Sequence, residues 1–421
     1  MAFGGLLLRN AAARLRGRAH QIAGSLGYSP IGSAWGHGSI PWQVPLSQTL
    51  TDHLQRALDP GHRAELVFDL AGMETRMSRL ARTGGRQGCR FLQPVKALAA
   101  GAFFDLAKTQ LDGFDVSNTA EYEALPDDLS GCHVSVTSPS FVPARRADLT
   151  RKGNSLTIYV GSEEQYFRLE ALDLPVAYGV RLESVSLLDR GQRRRTGLQR
   201  RSRFGISASD RPLLERLTSS RKHQFVGFHV HHGFGLNEVG TYEQLASSCG
   251  CLAESLGIAL PSLNLGGGLH AVLPDQLAAT VAAIRRALPT DTELLLEPGD
   301  YLSIGCAAAI GSVESVVRRP RWPVVALNLS AACHLRWSYP FPIDPTGTRA
   351  RGSGEATALL VGPTCCENDI IGRFRLRHPR SKAPLQVGDT VLFGGISGYS
   401  LAWNLAFNGI APAHITLLPR A

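Results

Sequence analysis

Four short segments place chemically active residue types at the ends of apolar runs. Lys96 closes the run FLQPVKAL (91–98). An ammonium is costly to bury unless it is paired or neutralised. A desolvated lysine of lowered pKa is what Schiff-base formation with a carbonyl requires; a lysine snorkelling from a strand end is the alternative. Gly266, Gly267 and Gly268 follow the run LPSLNL, and successive glycines let backbone N–H groups approach a phosphate, although they also make ordinary turns. Glu297 in LLLEPG suits a buried carboxylate that keeps a cofactor's ring nitrogen protonated, or a helix cap. His231 in FHVHHG stands beside His229 and His232. Strand alternation puts His229 and His231 on one face, where an imidazole can stack on a flat ring or bind metal. No acidic or cysteine ligand cluster adjoins them, so a metal site is discounted.

Short apolar runs that alternate with helical stretches must position these residues. The runs are AELVFDLAG (64–72), FLQPVKAL, GFDVS (113–117), CHVSV (132–136), LTIYV (156–160), LPVAYGVRLESV (174–185), HQFVGFHVH (223–231), LPSLNLGGG (260–268) and TELLLEPG (292–299). Helices are expected over 101–111, 239–257 and 274–288. The alternation implies a parallel sheet, and its repeat suits a closed (β/α)8 TIM barrel, which carries its site just after the strands. Beyond about residue 310 the runs shorten and become β-rich. The expected organisation is an N-terminal extension over 1–60, partly packed with the β domain, a barrel over 61–310 and a C-terminal β domain over 311–421.

The 421 residues are 44% hydrophobic and 19% charged, with a net charge of +9. That is a globular composition, without an apolar stretch long enough to span a bilayer. Eight cysteines show neither a CxxC pair nor a secreted disulfide framework, so a reducing cytoplasm is expected. Residues 1–51 hold no acid but carry Arg9, Arg14, Arg16 and Arg18, the composition of an organelle transit peptide or of a basic extension. The stretch Arg190–Arg203 has seven arginines and no acid. It reads as a solvated loop, or as a dock for an acidic substrate or acidic carrier protein. Nucleic acid is disfavoured because no aromatic residue is interleaved.

The order of these motifs resembles the alanine-racemase-like, fold-type III pyridoxal-phosphate decarboxylases: the ornithine, diaminopimelate and carboxynorspermidine decarboxylases. The resemblance covers residues 64–421. It implies pyridoxal 5'-phosphate as cofactor, with Lys96 as its lysine, His231 stacked on its ring and Glu297 at its pyridine nitrogen. GFDVSNTAEYEAL (113–125) places Asp115 and Glu121 near the cofactor. RFGI (203–206) resembles the step before the histidine strand, Arg181 the arginine beneath the cofactor, and Gly266–Gly268 the phosphate loop. GPTCCENDIIG (362–372) resembles the segment whose cysteine, here Cys365, reaches the neighbouring subunit's site, and the resemblance puts Asp369, which follows, at the substrate with it. GYSLAWNLAFNG (398–409) puts Tyr399 at the phosphate.

The resemblance further implies a homodimer with shared sites and an amino-acid-like small-molecule substrate that loses its α-carboxylate, with Cys365 reprotonating the α-carbon. SAACH (330–334) resembles the carboxynorspermidine branch and puts His334 at the substrate. Arg336 stands where that branch has an acid and suits a substrate tail that carries a carboxylate. Asp300 replaces the usual arginine after EPG, and Phe234 the usual serine after the histidine strand. An amino-acid racemase and an inactive regulator on the same fold are the alternatives.

Overall fold

The computed structural model describes residues 46–58, 62–189, 202–232, 239–269, 276–303, 305–344, 357–376 and 384–420. The basic N-terminal segment, Phe234 and all of the arginine run except Ser202 and Arg203 lie outside them. The chain divides into two compact units, one taking Met1–Met73 and Leu302–Ala421 and the other Glu74–Tyr301.

The first strand, β1 (Glu65–Asp69), belongs to the former unit, not to the barrel. It pairs antiparallel with β10 (Ala307–Val317) and parallel with β16 (His414–Leu418). The run AELVFDLAG is therefore corrected from a barrel strand to a member of the β unit. Its five residues are all buried, and a short run of that kind has the same local pattern in either sheet.

Eight strands close the barrel: β2 (Cys89–Pro94), β3 (Gly113–Val116), β4 (His133–Thr137), β5 (Ser155–Val160), β6 (Ala177–Arg181), β7 (Gln224–His229), β8 (Ser262–Asn264) and β9 (Glu293–Leu296). Every neighbouring pair is parallel, and β2 against β9 completes the ring. These strands are the other eight runs of the sequence. The expected helices form over Gly101–Gln110, Val239–Leu256 and Leu277–Arg286. Phe103, Phe104, Leu106 and Ala107 line the buried side of the first, the i, i+3, i+4 face that a barrel helix turns inward.

The β unit adds β11 (Val324–Leu327), β12 (Phe341–Ile343), β13 (Thr357–Val361), β14 (Ile370–Arg375) and β15 (Thr390–Gly394). The sheet order is β12-β15-β10-β11-β13-β14, with β1 joined to β10. The helix Gln48–Arg56 is capped by Ser47 Oγ, which accepts from the Leu50 amide at 3.1 Å. It sets Leu50 and Leu54 against Val67, Ile310 and Leu392. Each leucine buried this way contributes roughly 1.5–3 kcal/mol, which ties the segment ahead of β1 to the β unit.

Candidate active site

Pro94 holds the end of β2 in an extended conformation, and the single turn Val95–Ala97 follows. Lys96 stands on that turn, with its Nζ 3.2 Å from Asp115 Oδ2 on β3. Asp115 pairs in register with Pro94 on one side and Ser135 on the other. It is fully buried and takes the Ser135 hydroxyl on Oδ1 at 2.7 Å. Burial, and then the charge of Glu297, push its carboxyl up; Lys96 pulls it back. The sequence left open a desolvated lysine or one snorkelling from a strand end; the Lys96 side chain is 41% exposed, and its amine meets a buried carboxylate.

Glu297 follows β9 and is buried. Its backbone N–H donates to Gly266 O at 2.8 Å, and its Oε1 accepts from Asn264 Nδ2 at 2.7 Å. Asn264 ends β8 and takes the Gly266 N–H on its Oδ1 at 2.8 Å. One amide thus fixes both the carboxylate and the first glycine of the loop. Burial raises the Glu297 carboxyl pKa, against Lys96, the Asn264 bond and Arg181. No described residue donates to Oε2.

His231 Nδ1 accepts the Gly267 N–H at 3.1 Å. A Cβ on Gly266, whose φ is +62°, would stand 2.6 Å from that nitrogen. Glycine is required there by both conformation and space. Burial, then the charge of Arg181, holds His231 well below the ordinary histidine range, so its ring is neutral. Tyr242, on the helix Val239–Leu256, donates its hydroxyl to Gly267 O at 2.9 Å, packing that helix onto the loop.

Arg181 ends β6 and is buried. Its guanidinium lies over the Phe204 ring at 4.6 Å, and that of Arg203 over the same ring at 4.2 Å. The RFGI step therefore packs against the arginine, and a parallel bridge joins Leu182 to Ile206. Burial lowers the Arg181 pKa, opposed by Glu297 and Asp115. Glu121 Oε2 accepts the Ser117 N–H at 2.7 Å, and burial raises its carboxyl.

The barrel unit thus brings together Lys96, Asp115, Arg181, His231, Gly266, Gly267, Gly268 and Glu297. The sequence reading passed over Asn264, Ser135 and Tyr159. A polar residue that closes an apolar strand next to a glycine run was the available signal for Asn264.

The remaining candidates lie in the β unit. Cys365 is exposed. Asp369 is buried and takes Ser330 Oγ at 3.0 Å, the Ala332 N–H at 3.1 Å, and both the N–H and the hydroxyl of Thr364, at 3.2 and 2.7 Å. His334 is fully buried. Its Nδ1 accepts the Ser330 N–H at 3.0 Å, and its Nε2 meets Ala411 O at 3.1 Å. The polar atoms of Asp369 and His334 are engaged within the β unit, where both knit loops together. Arg336 lies over the Trp403 ring at 4.5 Å, and Trp337 meets Tyr399 at 4.9 Å between ring centres. The Nε of Arg336 is buried without a hydrogen-bond partner among the described residues.

The barrel residues fit pyridoxal phosphate in kind. They comprise an accessible amine, a buried carboxyl with one oxygen undonated, a neutral imidazole and a glycine loop that admits no side chain against that imidazole. Asp300, which replaces the usual arginine, opens the short helix Asp300–Ser303 and is half-buried.

Residues 179–304 match the family described as pyridoxal-dependent decarboxylase, pyridoxal binding domain. The chain is similar to the carboxyaminopropylagmatine decarboxylase of Synechocystis sp., 26% identical over 187 residues, which are 42% of this chain and 46% of the relative. It is similar also to the carboxynorspermidine/carboxyspermidine decarboxylase of Herminiimonas arsenicoxydans, 23% identical over 77% of this chain and 85% of that protein. The matches span about half the length of the Synechocystis relative and of a Vibrio cholerae diaminopimelate decarboxylase. In fold, the chain resembles lysine/ornithine decarboxylase from Vibrio vulnificus solved with cadaverine, with a TM-score of 0.70 and 19% identity over 89% of this chain and all of that one.

Proposed function

We propose, from the premise that the chain belongs to the fold-type III pyridoxal-phosphate decarboxylase family, that it removes the α-carboxylate of an amino-acid-like substrate. The observation that carries this reading is the joint placement of Lys96, Asp115, His231 and Glu297 around one glycine loop in the barrel unit. Lys96 would hold the cofactor's aldehyde carbon, Glu297 its ring nitrogen, His231 its ring face, and the Gly266–Gly268 backbone its phosphate. Bound there, pyridoxal phosphate supplies an electron sink for the pair left when the carboxylate departs as carbon dioxide.

The chain's own groups prepare that step. Asp115 holds the Lys96 ammonium at 3.2 Å and so fixes where the amine starts. Asn264 fixes Glu297 Oε1, which leaves Oε2 to face a ring nitrogen. Neutral His231 can lie against a ring without adding charge. Cys365 of a second copy would then deliver its Sγ proton to the α-carbon, and Tyr399 would meet the phosphate; both roles rest on the family resemblance and require a homodimer.

For the substrate, Arg336 supports a tail that ends in a carboxylate, since its Nε–H, without a hydrogen-bond partner among the described residues, and its planar guanidinium suit that group. The test is carbon dioxide release from a panel of diamino acids, carboxylated polyamines and amino acids with a distal carboxylate. Release from the last group, lost in Arg336→Met, supports the assignment. Release only from substrates with an amine tail contradicts it.

A further inference from the structure

The mechanism above leaves one buried imidazole in the barrel without a task. His229 ends β7 and is fully buried, and neither ring nitrogen has a hydrogen-bond partner among the described residues. Its Nε2 lies 3.5 Å from Glu297 Oε1. Arg181, His229 and Asn264 stand side by side in register on β6, β7 and β8. The Tyr159 ring packs on the imidazole at 5.1 Å, tilted by 47°, and its phenol bonds to Asn264. Opposite Tyr159 in register is Gly179, where a Cβ would fall 2.6 Å from the tyrosine ring. The sequence thus keeps space for a Tyr159–His229 pair at the base of Glu297.

A hydrophobic core gains nothing from an imidazole with both nitrogens unsatisfied. Such a group lowers stability relative to a leucine in its place, and its presence calls for an explanation. Burial, then the charge of Arg181, keeps His229 neutral, so one ring nitrogen always carries a proton to donate. The acceptor within reach is Glu297 Oε1.

We propose that His229 is a positioning residue: its Nε2–H closes on Glu297 Oε1 when the cofactor is bound, so that Asn264 and His229 share that oxygen and Oε2 alone faces the ring nitrogen. This rests on the pyridoxal-phosphate reading of the site. The titratable groups facing Glu297 are Lys96 beyond β2, Asp115 on β3, Tyr159 on β5 and Arg181 on β6, with His231 beyond β7. Two of them already bring positive charge. A neutral donor steadies the carboxylate without adding a third cation.

The experiment loads the wild type, His229→Leu and His229→Gln with pyridoxal phosphate and follows the absorbance of the bound cofactor against pH. The thermal midpoint of each apoprotein is measured in parallel. In His229→Leu the apoprotein midpoint should hold or rise, because an unsatisfied polar group is gone. Its spectral titration should move to higher pH by about one unit, since a carboxylate with one donor fewer holds its proton more tightly. His229→Gln, which keeps an N–H donor, should return the titration toward that of the wild type. His229→Met serves as the apolar variant if leucine misfolds. Titrations that coincide in all variants would overturn the proposal, as would an apoprotein destabilised by leucine with an unchanged spectrum. A wild type that takes up no pyridoxal phosphate would instead overturn the reading of the site itself, and the role of His229 with it.

Discussion

Asn264 Nδ2 donates to Glu297 Oε1 at 2.7 Å, while the same side chain's Oδ1 accepts the Gly266 N–H at 2.8 Å. A single amide therefore couples the carboxylate proposed for the ring nitrogen to the loop proposed for the phosphate. Asn264→Ala would leave a buried carboxylate oxygen and a buried N–H unpaired. Each such group costs about 1–3 kcal/mol, so denaturant unfolding of the apoprotein should show a loss in that range or above. Affinity for pyridoxal phosphate should fall with it.

Acid stability should depend on histidines held neutral by burial. His133, whose Nδ1 meets Ser155 Oγ at 2.9 Å, is pushed down to about 4 by burial and then by the charge of Arg90. Its folded pKa lies below the unfolded value, so the unfolded chain binds more protons between the two. The stability it contributes is fully present above about pH 6.5 and is lost as pH falls toward 4. Replacing it by Gln should remove up to about 1.4 kcal/mol per pH unit from the slope in that window. Urea unfolding at several pH values, compared between wild type and variant, checks this.

In the β unit, loop architecture and chemistry should separate. Asp369 accepts from Ser330, Ala332 and Thr364, whereas Cys365, four residues earlier in the same loop, is exposed. Asp369→Ala should lower stability by about 3 kcal/mol or more, as expected when a buried, multiply bonded carboxylate is lost. Cys365→Ser should leave unfolding within about 0.5 kcal/mol of the wild type while slowing product formation at least tenfold. Thermal unfolding and carbon dioxide release measured on both variants distinguish the roles.

The barrel was legible because its strands, buried on both faces, read as short apolar runs, and because its chemistry sits at their ends. Lys96, Asp115, Arg181, His231, the glycine loop and Glu297 stand beside recognisable motifs. The run 64–72 was misplaced for a physical reason: β1 pairs with residues near 310 and 415, and no local pattern reports so distant a partner. The internal bonds of Asp369 and His334 were not legible, because polar types in a motif say nothing of which way they turn. Asn264 and Tyr159 escaped notice because their roles exist only across strands, through the bonds that Asn264 makes to Glu297 and to the tyrosine phenol.

The central claim is that Lys96 carries pyridoxal phosphate. Its most direct test is to mix the purified protein with pyridoxal phosphate, reduce with borohydride, and locate the added mass by peptide analysis, alongside Lys96→Ala. The account predicts a stable adduct on the Lys96 peptide and none at the corresponding position of the variant. An adduct spread over exposed lysines in both proteins, or none in the wild type, would contradict it.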